Sequence, residues 1–167
     1  MLLTGVCSAP AMAAMTLTST DLKPEAEIAS AYIYPRCGGE NISPQLSWSG
    51  APTETKSFVL TMIDTSVTPA QWSHWVVVDI PADVTSLARG VKTLPGAAMQ
   101  IPSNFGDPHY DGPCPPAGSG LHRYELTIWA LASPKFSVSA DMKATELKDA
   151  LTAAALSHAT LAGLVTR

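Results

Sequence analysis

Three apolar runs rich in β-branched and aromatic residues dominate the sequence, at positions 57–63, 74–80 and 122–131. Runs of this length that are bounded by Pro, Gly or polar turns are typical of β-strands. The run at 74–80 is apolar at nearly every position before it stops at Pro81, which favours an interior strand buried on both faces. In the run at 122–131 large apolar side chains alternate, so one face is predicted to be buried. The chain is therefore predicted to be mainly β.

Weaker patterns predict the remaining elements. An edge strand is predicted at 15–19 and a last strand in the tail at 159–167, and a short apolar segment lies between turn residues at 45–48. A helical pattern lies at 145–157, where Ala and Leu form one apolar stripe and either Asp141 or Thr145 could cap the start. Together these patterns predict a mainly β domain with a C-terminal helix.

Composition narrows the class of protein. A chain of 167 residues with 46% hydrophobic and 14% charged residues can bury a core and is unlike a disordered segment. The net charge of -4 and the scattered Lys and Arg residues argue against a nucleic-acid-binding surface. The sequence has no run of ~20 apolar residues, so no transmembrane helix is predicted.

The N-terminal segment has features of an export signal. Residues 1–15 are apolar and rich in small side chains, and the AMA motif at 11–13 has the form of a signal-peptidase site. A positively charged leader is missing. Residues 1–14 are therefore interpreted as a signal-peptide remnant or a disordered tail, and residues 15–167 as one domain. The first interpretation predicts a periplasmic or secreted protein, and the second predicts a cytoplasmic one.

The pairing of the cysteines depends on the same question. Removing the N-terminal segment would remove Cys7 and leave one pair, Cys37 and Cys114. An exported protein would be expected to join these two in a disulfide, which restricts the unfolded chain. Two separate buried thiols or a two-ligand metal corner are the alternatives, although neither cysteine has a partner at the short spacing of a zinc site.

Four side chains that could form a binding site lie where predicted strands meet loops. Asp64 ends one run, His74 begins the next, and His122 and Tyr124 begin the third. Loops at one end of a sheet can bring such groups together. Imidazole and phenol groups donate hydrogen bonds to small anions, and a carboxylate can fix the tautomer of an imidazole. For each His alone, a ring bonded to a backbone carbonyl is the competing interpretation.

The segment from 90 to 120 is rich in Gly and Pro and is predicted to be irregular. Irregular segments this long usually have a function. Backbone N–H groups of the loop at 112–114 could add donors to an anion site.

Several motifs occur in a fixed order along the chain. They are CGGENISP at 37–44, LSW at 46–48, HWVVVDIP at 74–81, SNFG at 103–106, YDGPCPP at 110–116 and HRY at 122–124. With these motifs and Asp64, the sequence resembles the phosphatidylethanolamine-binding protein family, specifically its bacterial Raf-kinase-inhibitor-like branch. The resemblance extends from about Thr16 to the C-terminal residue.

The resemblance implies both a fold and a site. The fold is a large antiparallel sheet packed on a smaller one, with helices at the C-terminal end. The site is a pocket for phosphate-like or acetate-like anions, and in some members for phosphoethanolamine head groups. Carried over by position, the pocket residues are Asp64, His74, His122 and Tyr124, with Gly112 and Pro113 at the rim. No catalytic residue, metal or cofactor is implied.

One turn departs from the family pattern. An Asp-Pro-Asp-x-Pro turn is usual there, whereas this chain has DTSVTP at 64–69 and lacks the first Pro and the second Asp. Losing a carboxylate at the rim is expected to shift ligand preference toward anions without an amine.

The residues and the resemblance favour a non-catalytic binding protein for a phosphate-like ligand, which could also modulate a partner protein. The sequence has no G-x-S-x-G motif and no G-x-x-x-x-G-K phosphate loop. A hydrolase of phosphate esters is the alternative, with Asp64, His74 and His122 as metal ligands or as acid and base. A protease or kinase inhibitor is a third class, based on analogy with eukaryotic relatives. A homodimer through Trp72 and Trp75 is a further hypothesis.

Overall fold

Two β-sheets account for most of the regular structure. The computed structural model describes residues 14–139 and 142–167, so the predicted leader segment up to position 13 and the predicted cap Asp141 lie outside the described residues. In chain order the strands are β1 (Thr16–Thr18), β2 (Ala26–Glu27), β3 (Leu46–Ser49), β4 (Ser57–Asp64), β5 (Trp72–Pro81), β6 (Ser86–Leu87), β7 (Met99–Gln100), β8 (Leu121–Leu131) and β9 (Ala155–Thr166). The helix α1 (Ala144–Ala154) precedes β9, and short 3-10 turns lie at Ser30–Tyr32 and Pro35–Cys37.

The sheets differ in size. The larger sheet has six strands in the order β2-β9-β8-β4-β5-β7. Its neighbouring strands are antiparallel except for the short pair of β2 and β9, which is parallel. The smaller sheet has three antiparallel strands in the order β1-β3-β6.

Apolar side chains between the two sheets form the main core. Phe58 and Leu60 of β4 lie on the face toward the smaller sheet, where the Trp48 ring of β3 meets the Phe58 ring edge-on at 5.7 Å. The same core contains Leu46, Met62, Trp75, Ile80, Leu126 and Ile128. These contacts confirm the prediction of a large antiparallel sheet packed on a smaller one.

The opposite face of the larger sheet is covered by α1. Val59, Val76 and Val78 pack there with Leu147 and Leu151 of the helix. Because both faces of β4 and β5 are covered, these strands are apolar at almost every position rather than at alternate ones. The predicted interior strand is confirmed by this burial.

The helix starts differently from the prediction. It begins at Ala144, and the carboxylate of Glu146 accepts a hydrogen bond from the backbone N–H of Lys143 at 3.1 Å. Thr145 therefore lies within the first turn and is not the cap. With 11 residues α1 is too short to cross a membrane, and no other helix in the described part of the chain is long and apolar enough.

The end of the helix also corrects the prediction. The sequence predicts helix to position 157, whereas β9 begins at Ala155 directly after the last helical residue. Ser157 and His158 pair with β8, and the His158 ring lies 4.8 Å from that of Trp129. Pairing with a distant strand here overrides the helix propensity of the Ala-rich segment.

Leu126→Ala is expected to lower the free energy of unfolding by about 2–5 kcal/mol, because this fully buried side chain leaves a cavity in the main core. Leu121→Ala is the matched control on the same strand. Leu121 is 59% exposed, and its truncation should change stability by less than ~0.5 kcal/mol. Urea unfolding followed by tryptophan fluorescence measures both changes. Equal effects of the two variants would contradict the assigned core.

Candidate functional site

Antiparallel pairing brings the ends of three strands to one place. The register pairs Asp64, the last residue of β4, with Trp72 at the start of β5 and with Tyr124 near the start of β8. His74 and His122 lie at the same two strand starts. The structure therefore brings together the side chains that were predicted from strand ends, while their role in binding stays a prediction.

These side chains line a cavity of about 320 Å³. Its lining consists of Asp64, Val67, Trp72, His74, Phe105, Cys114, Pro115, Pro116, His122 and Tyr124. Titratable side chains thus face a wall of aromatic rings and prolines. Among the residues that the structure describes, no Lys or Arg contributes to this lining.

A buried hydrogen bond joins Asp64 to His122. The Asp64 Oδ2 atom lies 2.6 Å from Nδ1 of His122, and both residues are buried. The other carboxylate oxygen, Oδ1, accepts the backbone N–H of Ser66 at 2.9 Å. Since a carboxylate accepts hydrogen bonds, Nδ1 of His122 is the protonated nitrogen of this pair. The Nε2 atom of the same ring is left for the cavity.

His74 is held by the backbone rather than by a charge. Its Nδ1 atom lies 2.9 Å from the carbonyl oxygen of Asp111. The ring packs edge-to-face against Phe105 and Tyr124, with both centroid distances 5.1 Å. Burial lowers the pKa of His74 to about 4 despite the Asp111 carbonyl and the Asp64 carboxylate, which both raise it. The imidazole is therefore neutral at pH 7.

The hydroxyl of Tyr124 is a buried polar group without a partner. The residue is fully buried, and its hydroxyl makes no hydrogen bond of regular geometry within the described part of the chain, although the Asp64 carboxylate and the Cys114 backbone lie close to it. Burial, and to a smaller extent the Asp64 carboxylate, raises the pKa of Tyr124 well above its usual range. The phenol thus keeps its hydrogen at the floor of the cavity.

Gly112 and Pro113 lie just before the lining residues that begin at Cys114. The backbone N–H of Gly112 donates to the side-chain oxygen of Asn41 at 2.8 Å, and the carbonyl of Pro113 accepts the N–H of Tyr34 at 3.1 Å. A Cβ atom at Gly112 would collide with the Tyr32 backbone. These two residues fasten the segment that carries the Asp111 carbonyl, and the expected Gly112 donor is already used.

Sequence reasoning missed the aromatic mouth of the cavity. Trp72 and Phe105 are both 39% exposed, and their rings meet edge-on at 5.8 Å. Phe105 also stacks on Tyr34 at 5.8 Å. Phe105 belongs to the SNFG motif, and this motif is the sequence signal that could have identified Phe105 as a cavity residue. Trp75 is fully buried and donates to Gln100, so it cannot join Trp72 in the hypothetical dimer surface.

The predicted disulfide between Cys37 and Cys114 is confirmed. Its Cα atoms lie 5.5 Å apart, and 77 positions separate the two residues. It ties the cavity wall at Cys114 to the second 3-10 turn. The guanidinium of Arg167 donates to the carbonyl of Pro115 at 3.2 Å, which adds a second attachment for the same wall. Neither separate thiols nor a metal corner describes this pair.

A metal triad of the kind considered for a hydrolase has no counterpart in the geometry. Within residues 14–139 and 142–167, no three His, Cys, Asp or Glu side chains are grouped so that they could hold a metal ion. Asp64 and His122 instead direct their nearest atoms at each other.

The fold and the cavity define a two-sheet β protein with a pocket at the strand ends. The sequence profile of the phosphatidylethanolamine-binding protein family matches residues 18–166. The chain is 38% identical to the UPF0098 protein YbcL of Escherichia coli (strain K12) over 137 residues, 77% of this chain and 75% of that protein. It is 36% identical to a UPF0098 protein of Aquifex aeolicus over 159 residues, 93% of this chain and 90% of that protein.

Solved structures have the same fold. The crystal structure of Escherichia coli YbcL superposes with a TM-score of 0.83 at 32% identity and covers 91% of this chain and 98% of that one. A phosphatidylethanolamine-binding protein homologue from Chlamydia trachomatis superposes with a TM-score of 0.75 at 32% identity, covering 92% and 98%. The chain belongs to the phosphatidylethanolamine-binding protein family and is of its bacterial type.

His74 is expected to make folding less stable as the pH falls. The unfolded chain protonates this imidazole near pH ~6.5, whereas the buried ring takes a proton only near about 4. Between these values the unfolded state binds more protons, so the free energy of unfolding decreases with falling pH. The decrease should reach roughly 3 kcal/mol, because each tenfold difference in proton affinity between the two states corresponds to about 1.36 kcal/mol.

Urea unfolding at several pH values between ~4 and ~7 measures this slope. His74→Gln should flatten it, because the buried neutral imidazole at position 74 is then absent. His158→Gln is the matched control, since His158 is exposed on β9 and should leave the slope unchanged. An unchanged slope in the His74 variant would show that another group is responsible.

The double variant Cys37→Ser/Cys114→Ser is expected to lose stability because it removes a cross-link that closes a long loop. Loop entropy gives a loss of about 4 kcal/mol for a loop of this length. Reduced wild-type protein should unfold at a similar urea concentration, and the unreduced protein should weigh two hydrogens less than the reduced form. Free thiols in the protein isolated without reductant would contradict the bridge.

Proposed function

We propose that the chain is a non-catalytic binding protein whose cavity holds a small phosphate-like oxyanion, either free or as part of a phosphorylated head group. The unpartnered hydroxyl of Tyr124 carries this proposal. Leaving a buried hydroxyl without a hydrogen bond costs about 1–3 kcal/mol, and such groups are found where a ligand completes the bonding. An oxyanion supplies the missing acceptor.

Two ring nitrogens face the same position and add polar contacts for a partly protonated oxyanion. Nε2 of His122 faces the cavity because Nδ1 is bonded to Asp64. His74 lies on the neighbouring strand, with its Nδ1 likewise turned to the protein. The three side chains surround a space in which a tetrahedral group could meet each of them. Hydrogen bonds inside such a largely apolar cavity are stronger than in water.

The rim favours anions without an amine. A carboxylate that would bind an ammonium group is absent from the turn after Asp64, and Val67 lines the cavity there. Trp72, Phe105 and Pro116 continue the wall with apolar surface. A ligand with an apolar group attached to its oxyanion fits this combination better than a zwitterion.

The lining supports binding rather than catalysis. It offers no Ser, Thr or free thiol among the described residues, and Cys114 is held in the disulfide. Covalent catalysis needs a nucleophile within reach of a base such as His122. Phosphatase turnover of p-nitrophenyl phosphate by the purified protein would contradict this part of the proposal.

We further propose a periplasmic or secreted location, which the disulfide between Cys37 and Cys114 supports. Disulfides persist in oxidising compartments and are rare in the cytosol. Modulation of a partner protein through the occupied cavity stays a prediction from the family resemblance.

Tyr124→Phe is expected to weaken phosphate binding by at least roughly tenfold, through loss of one hydrogen bond to a charged ligand. Stability should not fall, because the deleted hydroxyl has no protein partner to lose. Isothermal titration with inorganic phosphate and urea unfolding measure the two effects.

Tyr110→Phe is the matched control. The Tyr110 hydroxyl is buried and donates to the carbonyl of Tyr32 at 2.7 Å, and it does not line the cavity. Its removal should cost about 1–3 kcal/mol of stability and leave phosphate affinity unchanged. Wild-type protein that fails to bind phosphate, or a Tyr124 variant with full affinity, would contradict the proposed site.

A further inference from the structure

One ring nitrogen of His74 faces the cavity as a hydrogen-bond acceptor. The Nδ1 atom lies 2.9 Å from the carbonyl oxygen of Asp111. A carbonyl oxygen accepts hydrogen bonds, so Nδ1 carries the hydrogen, and in a neutral imidazole the other nitrogen then has none. Nε2 lies on the opposite edge of a ring that lines the cavity. It therefore presents a lone pair to any ligand.

The packing around His74 keeps the ring neutral. Phe105 and Tyr124 enclose it edge-to-face, and the residue is 3% exposed. This burial lowers the pKa of His74 to about 4. The acceptor character of Nε2 therefore holds across the neutral range.

The charged groups around His74 do not bond to it. Those on the packed elements are Asp64, His122, Tyr124, Asp111 and His109. Asp64 and His122 are bonded to each other at 2.6 Å. The carboxylate of Asp111 has His109 as its neighbour, with Oδ1 3.4 Å from Nε2 of that ring. The Asp111 residue meets His74 through its carbonyl oxygen.

The lining therefore contains acceptors that need a hydrogen from the ligand. Nε2 of His74 is one, and the carboxylate of Asp64 beside it carries negative charge. The Tyr124 hydroxyl is the donor on the opposite strand. No Lys or Arg of the described chain lines the cavity to offset an oxyanion that lacks hydrogen.

We propose that His74 makes this site selective for oxyanions that donate a hydrogen bond, so that it binds the singly protonated form of a phosphate monoester and rejects a sulfate ester. The inference rests on the proposed function and adds the protonation state of the bound ligand. The P–OH group donates to Nε2 of His74, and another phosphate oxygen accepts from Tyr124. A sulfate ester places an oxygen lone pair against the lone pair of Nε2.

Phenyl phosphate and phenyl sulfate are the probes that test this selectivity. At pH ~5 both are single anions of nearly the same shape, because the second phosphate proton leaves near ~6. They differ in the presence of one hydrogen. Isothermal titration should show phenyl phosphate binding at least roughly tenfold more tightly, since the sulfate leaves a buried acceptor unpaired.

The pH profile provides a second readout. Above ~6 phenyl phosphate loses its hydrogen, and its affinity should then fall roughly tenfold for each pH unit. Phenyl sulfate has no group that titrates in this range, so its affinity reports any pH-dependent change in the protein itself. As the pH rises, the affinity for phenyl phosphate is expected to fall relative to the affinity for phenyl sulfate.

His74→Gln tests the residue itself. The side-chain amide can turn either its oxygen or its N–H to the ligand, so the preference for phenyl phosphate over phenyl sulfate should largely disappear. His158→Gln, on the exposed part of β9, should keep the full preference. Nitrogen-15 NMR of the imidazoles in wild-type protein is independent of the variant's folding, and it should show hydrogen on Nδ1 of His74 and none on Nε2 at pH ~7.

Equal affinities for the two probes with parallel pH profiles would overturn the selectivity while leaving the proposed anion site intact. Hydrogen on Nε2 of His74 in the NMR spectrum would overturn it as well. Wild-type protein that binds neither probe nor inorganic phosphate would overturn the proposed function, and this inference with it.

Discussion

The pairing of β4 with β5 on one side and β8 on the other is the constraint on which the site depends. A register shift of one residue would turn every side chain of a strand to the opposite face. Both faces of these strands are buried, one against the smaller sheet and one against α1, so such a shift would disrupt both cores. The end of β4 at Asp64 is thereby held beside Trp72 and Tyr124.

The same burial lowers the stability of the fold, because it removes the polar side chains of the site from water. Asp64, His74 and His122 are buried polar residues whose orientation is fixed by protein partners. Asp64 bonds to the His122 ring and to the Ser66 N–H, and His74 bonds to a backbone carbonyl. Tyr124 has no partner for its hydroxyl among the described residues. Elsewhere buried tyrosines satisfy theirs, as Tyr110 does with a carbonyl oxygen. An incompletely bonded polar group inside a well-packed core calls for an explanation, and the proposed ligand supplies one for Tyr124.

Sequence patterns predict the strands, because these features follow from the periodicity of apolar residues. The runs around β4, β5 and β8 were visible because both faces are buried, and the residues at their ends followed from where the runs stop. Trp72 and Phe105 were not recognised as cavity residues, because their position depends on how the loop after β7 folds back over β5. The start of β9 was misplaced for a similar reason, since Ala155 joins β8 through long-range pairing that local propensity does not contain.

For the proposed oxyanion, recognition in this cavity would depend on hydrogen positions more than on net charge. Asp64 and His122 are bonded to each other, His74 is neutral, and the described lining contains no Lys or Arg. In a cavity of low polarity, two hydrogen-bond acceptors that face each other, one on the ligand and one on the protein, lose more binding free energy than they would in water. The Asp111 carbonyl decides which nitrogen of His74 carries the hydrogen. In the proposed site, the Gly112 contacts and the nearby disulfide that hold this segment would therefore contribute to specificity without touching the ligand.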